Sequence, residues 1–454
     1  MISVLLKTSI ALIVTLMLPT AYSLTNAETN SDEGSMQKRI VLIEGIGGGL
    51  GTNLLTPEIL KLDLKNKPQV VFYGTDFLDK LTVRGKQAVK SLTNNGMIFI
   101  DKSDPQALKR YEELQPDYVY IAPPPHTHIA LTKEWLNHPK PPNVIMVEKP
   151  FTENLQEMKG FVATLNQKSA LKTKVYAIDH ANAFNLYGEN LKQIRDYLGT
   201  ISDISFFWIQ NHTGAHKTNY LLEGDDRPIT RENRLGMLPE EKRMVFDTLI
   251  HFLVPASEII NPVNANITDI KAAQYENAEI KGETFVATRL LIQDKLNPKN
   301  TIAVMLYAGK GIGGVDSLGI KNMAHLLIIR NKLGKEVRLS LDDNTASFIN
   351  KEGGVEKRLP LPKIYANEMN NLFLGAQDIR QSPEYTLECI KVLDQIRSHI
   401  DQYQQHAKLA IYRLGTSKIT APSLEEILQN QRVYGEGKDL LRGQELLNSV
   451  YKGL

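Results

Sequence analysis

The feature that most constrains this chain is a short apolar run, Arg39 to Glu44 (RIVLIE), which opens directly onto Gly45-Ile46-Gly47-Gly48-Gly49-Leu50-Gly51. A compact run of this kind, ended by glycine, reads as a buried strand. Amphipathic sequence continues from Thr52 to about Leu64, so the order is strand, glycine loop, helix. That order aims backbone N–H groups and a helix N-terminus at an anion, which is how a dinucleotide pyrophosphate is held. A glycine cluster by itself is only a turn; its context makes Gly45, Gly47 and Gly48 candidates for close backbone approach to phosphates.

Further strands are predicted at Gln69–Tyr73, Gly96–Asp101, Asp117–Ala122, Val144–Glu148 and Lys174–Asp179, with helical patterns between most of them. Strands alternating with helices predict parallel βαβ units. The fold class is therefore α/β, with an N-terminal Rossmann-type doubly wound parallel sheet over residues 38–180. At the end of the second strand, Tyr73-Gly74-Thr75-Asp76 lies where an adenosine ribose is read. Asp76 could hold a 2′-hydroxyl and Thr75 would tolerate a 2′-phosphate, so both NAD and NADP fit.

Beyond Asp179 the rhythm changes. A helix is expected over Leu186–Leu198, a long strand with Phe206 and Phe207 over Ile201–Gln210, and an apolar helix over Met244–Ile260. Strand-like runs with short turns follow, from Ile267 to Asn350. They predict a C-terminal α+β domain over residues 181–422 with a large, mostly antiparallel open sheet. Tyr385–Gln405 reads as an amphipathic helix, and residues 423–454 as a helical C-terminal tail.

The first 27 residues differ from the rest. Lys7, the apolar run Ile10–Leu18 and small residues up to Ala27 have the order of a secretory signal peptide. An uncleaved anchor is the alternative, as is a start at Met36. Residues 28–37 read as a linker. The expected location is thus periplasmic or secreted, or cytoplasmic if translation starts at Met36. The net charge of +2 shows no nucleic-acid footprint, and the one cysteine, Cys389, excludes an intrachain disulfide. His212 and His216, near Asp225 and Asp226, lack a convincing third ligand, so no metal is expected.

Several motifs resemble known families. The run GIGGGLGTNLLTPEILKL, with Leu50, Leu55, Pro57 and Leu60, resembles the opening of glucose-6-phosphate dehydrogenases. Val147-Glu148-Lys149-Pro150-Phe151 looks like the Glu-Lys-Pro motif that those enzymes share with the wider Gfo/Idh/MocA group. Ala122-Pro123-Pro124-Pro125-His126-Thr127-His128 resembles the loop after the fourth strand in both groups, and Asp179-His180 falls where the former carry Asp-His. Asp247-Thr248-Leu249-Ile250-His251 is similar to the Asp-x-x-x-His of Gfo/Idh/MocA enzymes; at helical period Asp247 and His251 share a face. The chain departs from the sugar-phosphate enzymes in continuing Ala181-Asn182-Ala183-Phe184 where they have Tyr-Leu-Gly-Lys.

The resemblance implies an NAD(P)-dependent dehydrogenase acting on a sugar, sugar phosphate or polyol, and a homo-oligomer. It places Leu50, Thr75, Pro123, Glu148 and Lys149 at the cofactor beside the glycines, and His180 and Lys149 at the substrate. Oxidising an alcohol needs a base for the hydroxyl proton while hydride leaves. His251 is the candidate base, with Asp179 or Asp247 to orient it and Lys149 to position the reacting oxygen. Each has a plain alternative: a core histidine, a helix-capping aspartate, a strand-end lysine. His126 and His128 are read as shaping their loop. The rival functions are an NAD-dependent glycosidase and a non-catalytic ligand-binding homologue.

Overall fold

The computed structural model describes residues 38–48, 51, 55–62, 70–168, 172–210, 245–273, 285–310, 314–315, 320–321, 323–361, 381–404, 432–435 and 440–442. The signal-like segment 1–27, the linker, Leu50 and the histidines at 212 and 216 lie outside them.

Six strands form the parallel sheet: β1 (Arg39–Glu44), β2 (Val70–Asp76), β3 (Ile98–Asp101), β4 (Tyr118–Ile121), β5 (Val144–Glu148) and β6 (Lys174–Ile178). Their spatial order is β3-β2-β1-β4-β5-β6, so the winding reverses between β1 and β4. At such a switch point the chain leaves a crevice at the carboxyl ends of the strands. The described helices between them are α1 (Thr56–Leu60), α2 (Val83–Asn94), α3 (Pro105–Glu112), α4 (Pro125–Leu136) and α5 (Leu155–Gln167). Local chemistry sets where they begin. Thr82 caps α2 by accepting from Gly85 N, Asp104 caps α3 from Gln106 N, and Asn154 caps α5 from Gln156 N and Glu157 N. Proline opens α3 and α4, where a missing N–H costs nothing.

The second sheet is larger. After α6 (Gly188–Leu198) come β7 (Asp203–Gln210), β8 (Ile260–Ala273), β9 (Phe285–Asp294) and β10 (Thr301–Lys310). The short pair β11 (Gly314–Val315) and β12 (Ile320–Lys321) is followed by β13 (Met323–Arg330), β14 (Glu336–Ser340), β15 (Thr345–Ile349) and β16 (Val355–Pro360). Among the described residues the sheet order is β16-β15-β14-β13-β7-β10-β9-β8, extended by β17 (Arg432–Gly435) and β18 (Leu440–Arg442). The β7–β10 pair is parallel and its other pairs are antiparallel. The chain is thus α/β, a Rossmann-type sheet joined to a large mixed, mostly antiparallel one.

Two elements differ from expectation. The apolar stretch before β8 is not one helix: it divides into a π-helical turn (Val245–Leu249), a short helix α7 (Ile250–Leu253) and a 3-10 turn (Pro255–Glu258). Pro255 has no N–H to continue the ladder, and the strand starts at Ile260. The tail expected to be helical contains β17 and β18, with β17 paired to β8 through Tyr434–Ala272 and Gly435–Lys271. Gly435, the last residue of β17, disfavours a helix there. Among the described residues no helix is long and apolar enough to cross a membrane.

One buried apolar cluster joins the two sheets. It runs from Leu42, Ile121 and Val147 of the parallel sheet through Phe151 and Phe161 to Phe206, Leu306 and Leu327 of the large one. Helix α8 (Pro383–Gln404) enters the same cluster with Cys389, Leu393 and Ile396. A core shared in this way removes apolar area from water at about 25 cal/mol per Å². It also fixes the carboxyl edge of the parallel sheet against the inner face of the second.

Candidate active site

The glycine loop lies at the switch point. Gly45 adopts φ +73, and a Cβ placed there would come within 2.7 Å of Pro123 N, on the loop after β4. Only glycine therefore fits both the backbone conformation and the approach of that loop. A Cβ at Gly47 would meet the Leu81 side chain at 2.3 Å, and one at Gly51 would meet Ile46 O at 2.2 Å. The turn is tied down by Gly45 N donating to Thr75 O (2.9 Å) and Gly48 N to Gly45 O (3.1 Å). A glycine-rich turn at the head of the parallel sheet fits a dinucleotide.

At the end of β2 the structure separates the two ribose candidates. Thr75 is fully buried, whereas Asp76 is partly exposed and takes Gly47 N (3.0 Å) and Phe77 N (2.8 Å) on its two carboxylate oxygens. Asp76, not Thr75, thus presents a side chain beside the glycine loop. Burial raises its pKa above the usual carboxylate value, against the two backbone hydrogen bonds.

A buried cluster that sequence reasoning missed supports the loop from below. Glu44, the last residue of β1, accepts from Tyr111 Oη (2.6 Å), Trp135 Nε1 (3.1 Å) and Lys102 Nζ (2.9 Å). Tyr111 and Trp135 come from α3 and α4, and Lys102 follows β3, so three elements converge on the carboxylate that precedes Gly45. An acidic residue closing an apolar strand was the available signal.

The Glu-Lys-Pro segment ends β5. Glu148 was expected at the cofactor, but its carboxylate turns inward, buried, and accepts from Tyr120 Oη at 2.6 Å. Burial pushes its pKa up to about 8; the Tyr120 hydrogen bond opposes this and the Asp179 charge adds to it. Lys149 is half-buried, its N–H donates to Ile178 O (3.0 Å) on β6, and its bond to Pro150 is cis. That register sets Lys149 beside Asp179, which directly follows β6.

His128 joins these loops. Nε2 lies 2.6 Å from Pro123 O and Nδ1 3.0 Å from Pro150 O. Burial pulls its pKa down to about 4, against the two carbonyl contacts, which raise it. One imidazole thereby ties the loop that packs on Gly45 to the Lys149–Pro150 turn, a specific form of the loop-shaping role expected from sequence.

Asp179 and His251 meet across 72 residues. His251 Nδ1 lies 2.7 Å from Asp179 Oδ1, which also caps the following 3-10 turn (His180–Phe184) by accepting from Ala181 N (2.8 Å). Capping and imidazole orientation, which sequence left as alternatives for Asp179, are both served by one carboxylate. His251 also stacks on Trp208 of β7, with ring centroids 3.9 Å apart and planes at 20°. Its helix α7 is anchored by Tyr385 Oη of α8, which donates to Leu253 O (2.6 Å), one of the carbonyls that a helix end leaves unpaired. The backbone of Asp247 lies in the π-helical turn, so the regular α-helical spacing assumed for Asp247 and His251 does not hold there. The side chains of Asp247 and His180 lie outside the description. The structure therefore brings together Gly45, Gly47, Gly48, Pro123, Lys149, Asp179 and His251 along one edge. Among the described residues no group of three His, Cys, Asp or Glu side chains is placed to hold a metal ion.

Comparison with known proteins supports the Rossmann fold of the first sheet. Residues 66–176 match the model of the Gfo/Idh/MocA oxidoreductase family, with its NAD-binding Rossmann fold. No curated protein sequence matches the chain. Among solved structures it is similar to an oxidoreductase domain protein from Kribbella flavida (12% identity, TM-score 0.56), covering 81% of this chain and 98% of that one. It is also similar to a 3-ketoreductase from Actinomadura kijaniata, solved with TDP-benzene and NADP (12%, TM-score 0.53, covering 80% and 98%). A third is UDP-N-acetylglucosamine 3-dehydrogenase from Acidithiobacillus ferrooxidans (12%, TM-score 0.50, covering 80% and 97%). At such identities the solved structures establish the shared fold. The family match marks residues 66–176 as similar to the NAD-binding Rossmann domain of Gfo/Idh/MocA oxidoreductases.

Proposed function

We propose that this protein is an oxidoreductase that moves a hydride between a hydroxyl carbon of a carbohydrate and a nicotinamide, with His251 as the proton-transfer group. The observation that carries this reading is the buried Asp179–His251 hydrogen bond on the carboxyl edge that also holds Lys149 and the glycine loop. With Nδ1–H donated to Asp179, the ring keeps a basic Nε2. In the oxidative direction His251 takes the hydroxyl proton as the C–O bond becomes a carbonyl. Gly45, Gly47 and Gly48 would hold the dinucleotide, whose nicotinamide would supply the hydride acceptor. Lys149, as an ammonium group, would hold the same oxygen and stabilise charge that develops on it. Reduction runs the same proton and hydride in reverse.

The substrate class draws support from the relatives, one named for a UDP-sugar and one solved with a TDP ligand. A nucleotide-linked or free sugar is thus preferred over the sugar phosphate implied by the resemblance to glucose-6-phosphate dehydrogenases. The replacement of Tyr-Leu-Gly-Lys by Ala181-Asn182-Ala183-Phe184 points the same way. The test is turnover of UDP-N-acetylglucosamine, UDP-glucose, glucose and glucose 6-phosphate with NAD and NADP, followed by nicotinamide absorbance. His251→Asn and Lys149→Ala should retain cofactor binding and lose roughly 10²–10⁴-fold in kcat. Unchanged kcat in either variant removes that residue from the mechanism, and no turnover of any sugar sinks the substrate class.

A further inference from the structure

A second His–Asp pair leans on the same tryptophan as His251. His325 of β13 is the register partner of Trp208 on β7, so both side chains stand on the sheet face that carries the shared core. Their ring centroids are 4.3 Å apart at 58°. Trp208 therefore touches two imidazoles, His251 stacked on it and His325 tilted against it.

His325 is held as firmly as His251. Asp342, in the turn after β14, accepts the His325 backbone N–H on Oδ2 (2.7 Å) and faces ring Nδ1 with Oδ1 (2.8 Å). With Nδ1–H given to the carboxylate, the neutral ring keeps its lone pair on Nε2, the tautomer argued for His251. That Nε2 atom is buried and has no hydrogen-bond partner among the described residues. A buried polar atom in this condition carries a desolvation cost that a packed apolar residue would avoid. Nothing in the core requires an imidazole here, since its neighbours on β13, Leu327 and Ile329, fill the same face with aliphatic side chains.

We propose that His325, oriented by Asp342, is a substrate-contacting residue whose Nε2 accepts a hydrogen bond from a second hydroxyl of the carbohydrate processed at His251. The proposal rests on the carbohydrate reading above and extends it to specificity. The two imidazoles differ in role: His251 exchanges a proton with the reacting hydroxyl, whereas His325 binds a hydroxyl that does not react. A site built to pair with a hydroxyl discriminates strongly against an analogue that lacks it.

The experiment uses the cofactor-loaded protein with UDP-glucose, UDP-N-acetylglucosamine and glucose, and with the monodeoxy analogues of whichever is turned over. Wild-type protein should prefer the parent sugar over one non-reacting deoxy analogue by about 10-fold or more in kcat/KM. His325→Leu should raise KM for the parent with a smaller change in kcat and abolish that preference. Asp342→Asn should do so in part, through the lost orientation of the ring. Cofactor affinity, measured in parallel, reports that each variant is folded. Turnover by wild type with KM and deoxy discrimination unchanged in His325→Leu overturns this proposal and leaves the carbohydrate reading intact. If wild type turns over none of the three sugars, the carbohydrate reading fails and this proposal falls with it. Should His325→Leu lose cofactor binding, His325→Asn replaces it under the same criteria.

Discussion

Glu148 shows how a single residue sets a pH dependence. Its carboxyl is raised to about 8 from an ordinary value of about 4.3. Between these values the folded protein binds a proton that the unfolded chain has released, so stability falls as pH rises through that window. Below about 4.3 the effect is absent, and above about 8 it is complete. The slope approaches about 1.4 kcal/mol per pH unit at mid-window. Glu148→Gln keeps an acceptor for Tyr120 and removes the titration. Its melting temperature should therefore rise relative to wild type as pH goes from about 5 to about 8. A constant difference between the two proteins across that range would contradict the assignment. Gly45 is equally specific. Gly45→Ala adds a Cβ at positive φ against Pro123, so where an ordinary glycine-to-alanine exchange stabilises by about 0.4–1 kcal/mol this one should destabilise by more than about 1 kcal/mol, read by denaturant unfolding.

At the scale of elements, the contact between α6 and β9 depends on one fork. Arg195 Nη1 and Nη2 donate to the two oxygens of the buried Asp294 at 3.1 and 3.0 Å. Arg195→Leu removes both of these bonds, leaving Asp294 Oδ1 its hydrogen bond from Leu296 N (3.0 Å), and should destabilise the protein by roughly 1–3 kcal/mol. The double variant with Asp294→Leu should recover much of the loss; a double variant as unstable as the single one would contradict this reading. Elements also divide what the sequence discloses from what it hides. The glycine loop, the Glu-Lys-Pro turn and the alternation of β1–β6 with helices were legible, because each depends on neighbours along the chain. The choice of Asp179 as the partner of His251 depends on packing across 72 residues, and sequence left it open between Asp179 and Asp247. Trp208, His325 and Asp342 were missed because cross-strand register between β7 and β13 leaves no periodic trace. The sequence over β17 and β18 reads as helix because two short strands beside a glycine pair carry too few residues to display a period of 2.

On the scale of the whole molecule, the shared core explains how residues so distant in sequence form one site. Asp179 stands on the parallel sheet's carboxyl edge, His251 on α7, and Trp208 on the inner face of the large sheet, with α8 buttressing α7 through Tyr385. Such bracing would hold the proposed proton-transfer group, His251, in place before substrate arrives, which positioned acid–base catalysis needs. Asp76 stands beside the glycine loop, where a doubly wound fold reads the adenosine ribose, so Asp76→Ala is expected to shift the preference between NAD and NADP, read as the ratio of their affinities. The central claim is that a dinucleotide binds at the glycine loop. Isothermal titration of the full-length protein and of Gly45→Val with NAD and NADP tests it most directly. The account predicts one equivalent of at least one dinucleotide bound by wild type and binding weakened by about 10-fold or more in the variant, which sets a branched side chain against Pro123. No binding of either dinucleotide by the wild type, or equal affinity in the two proteins, would contradict it.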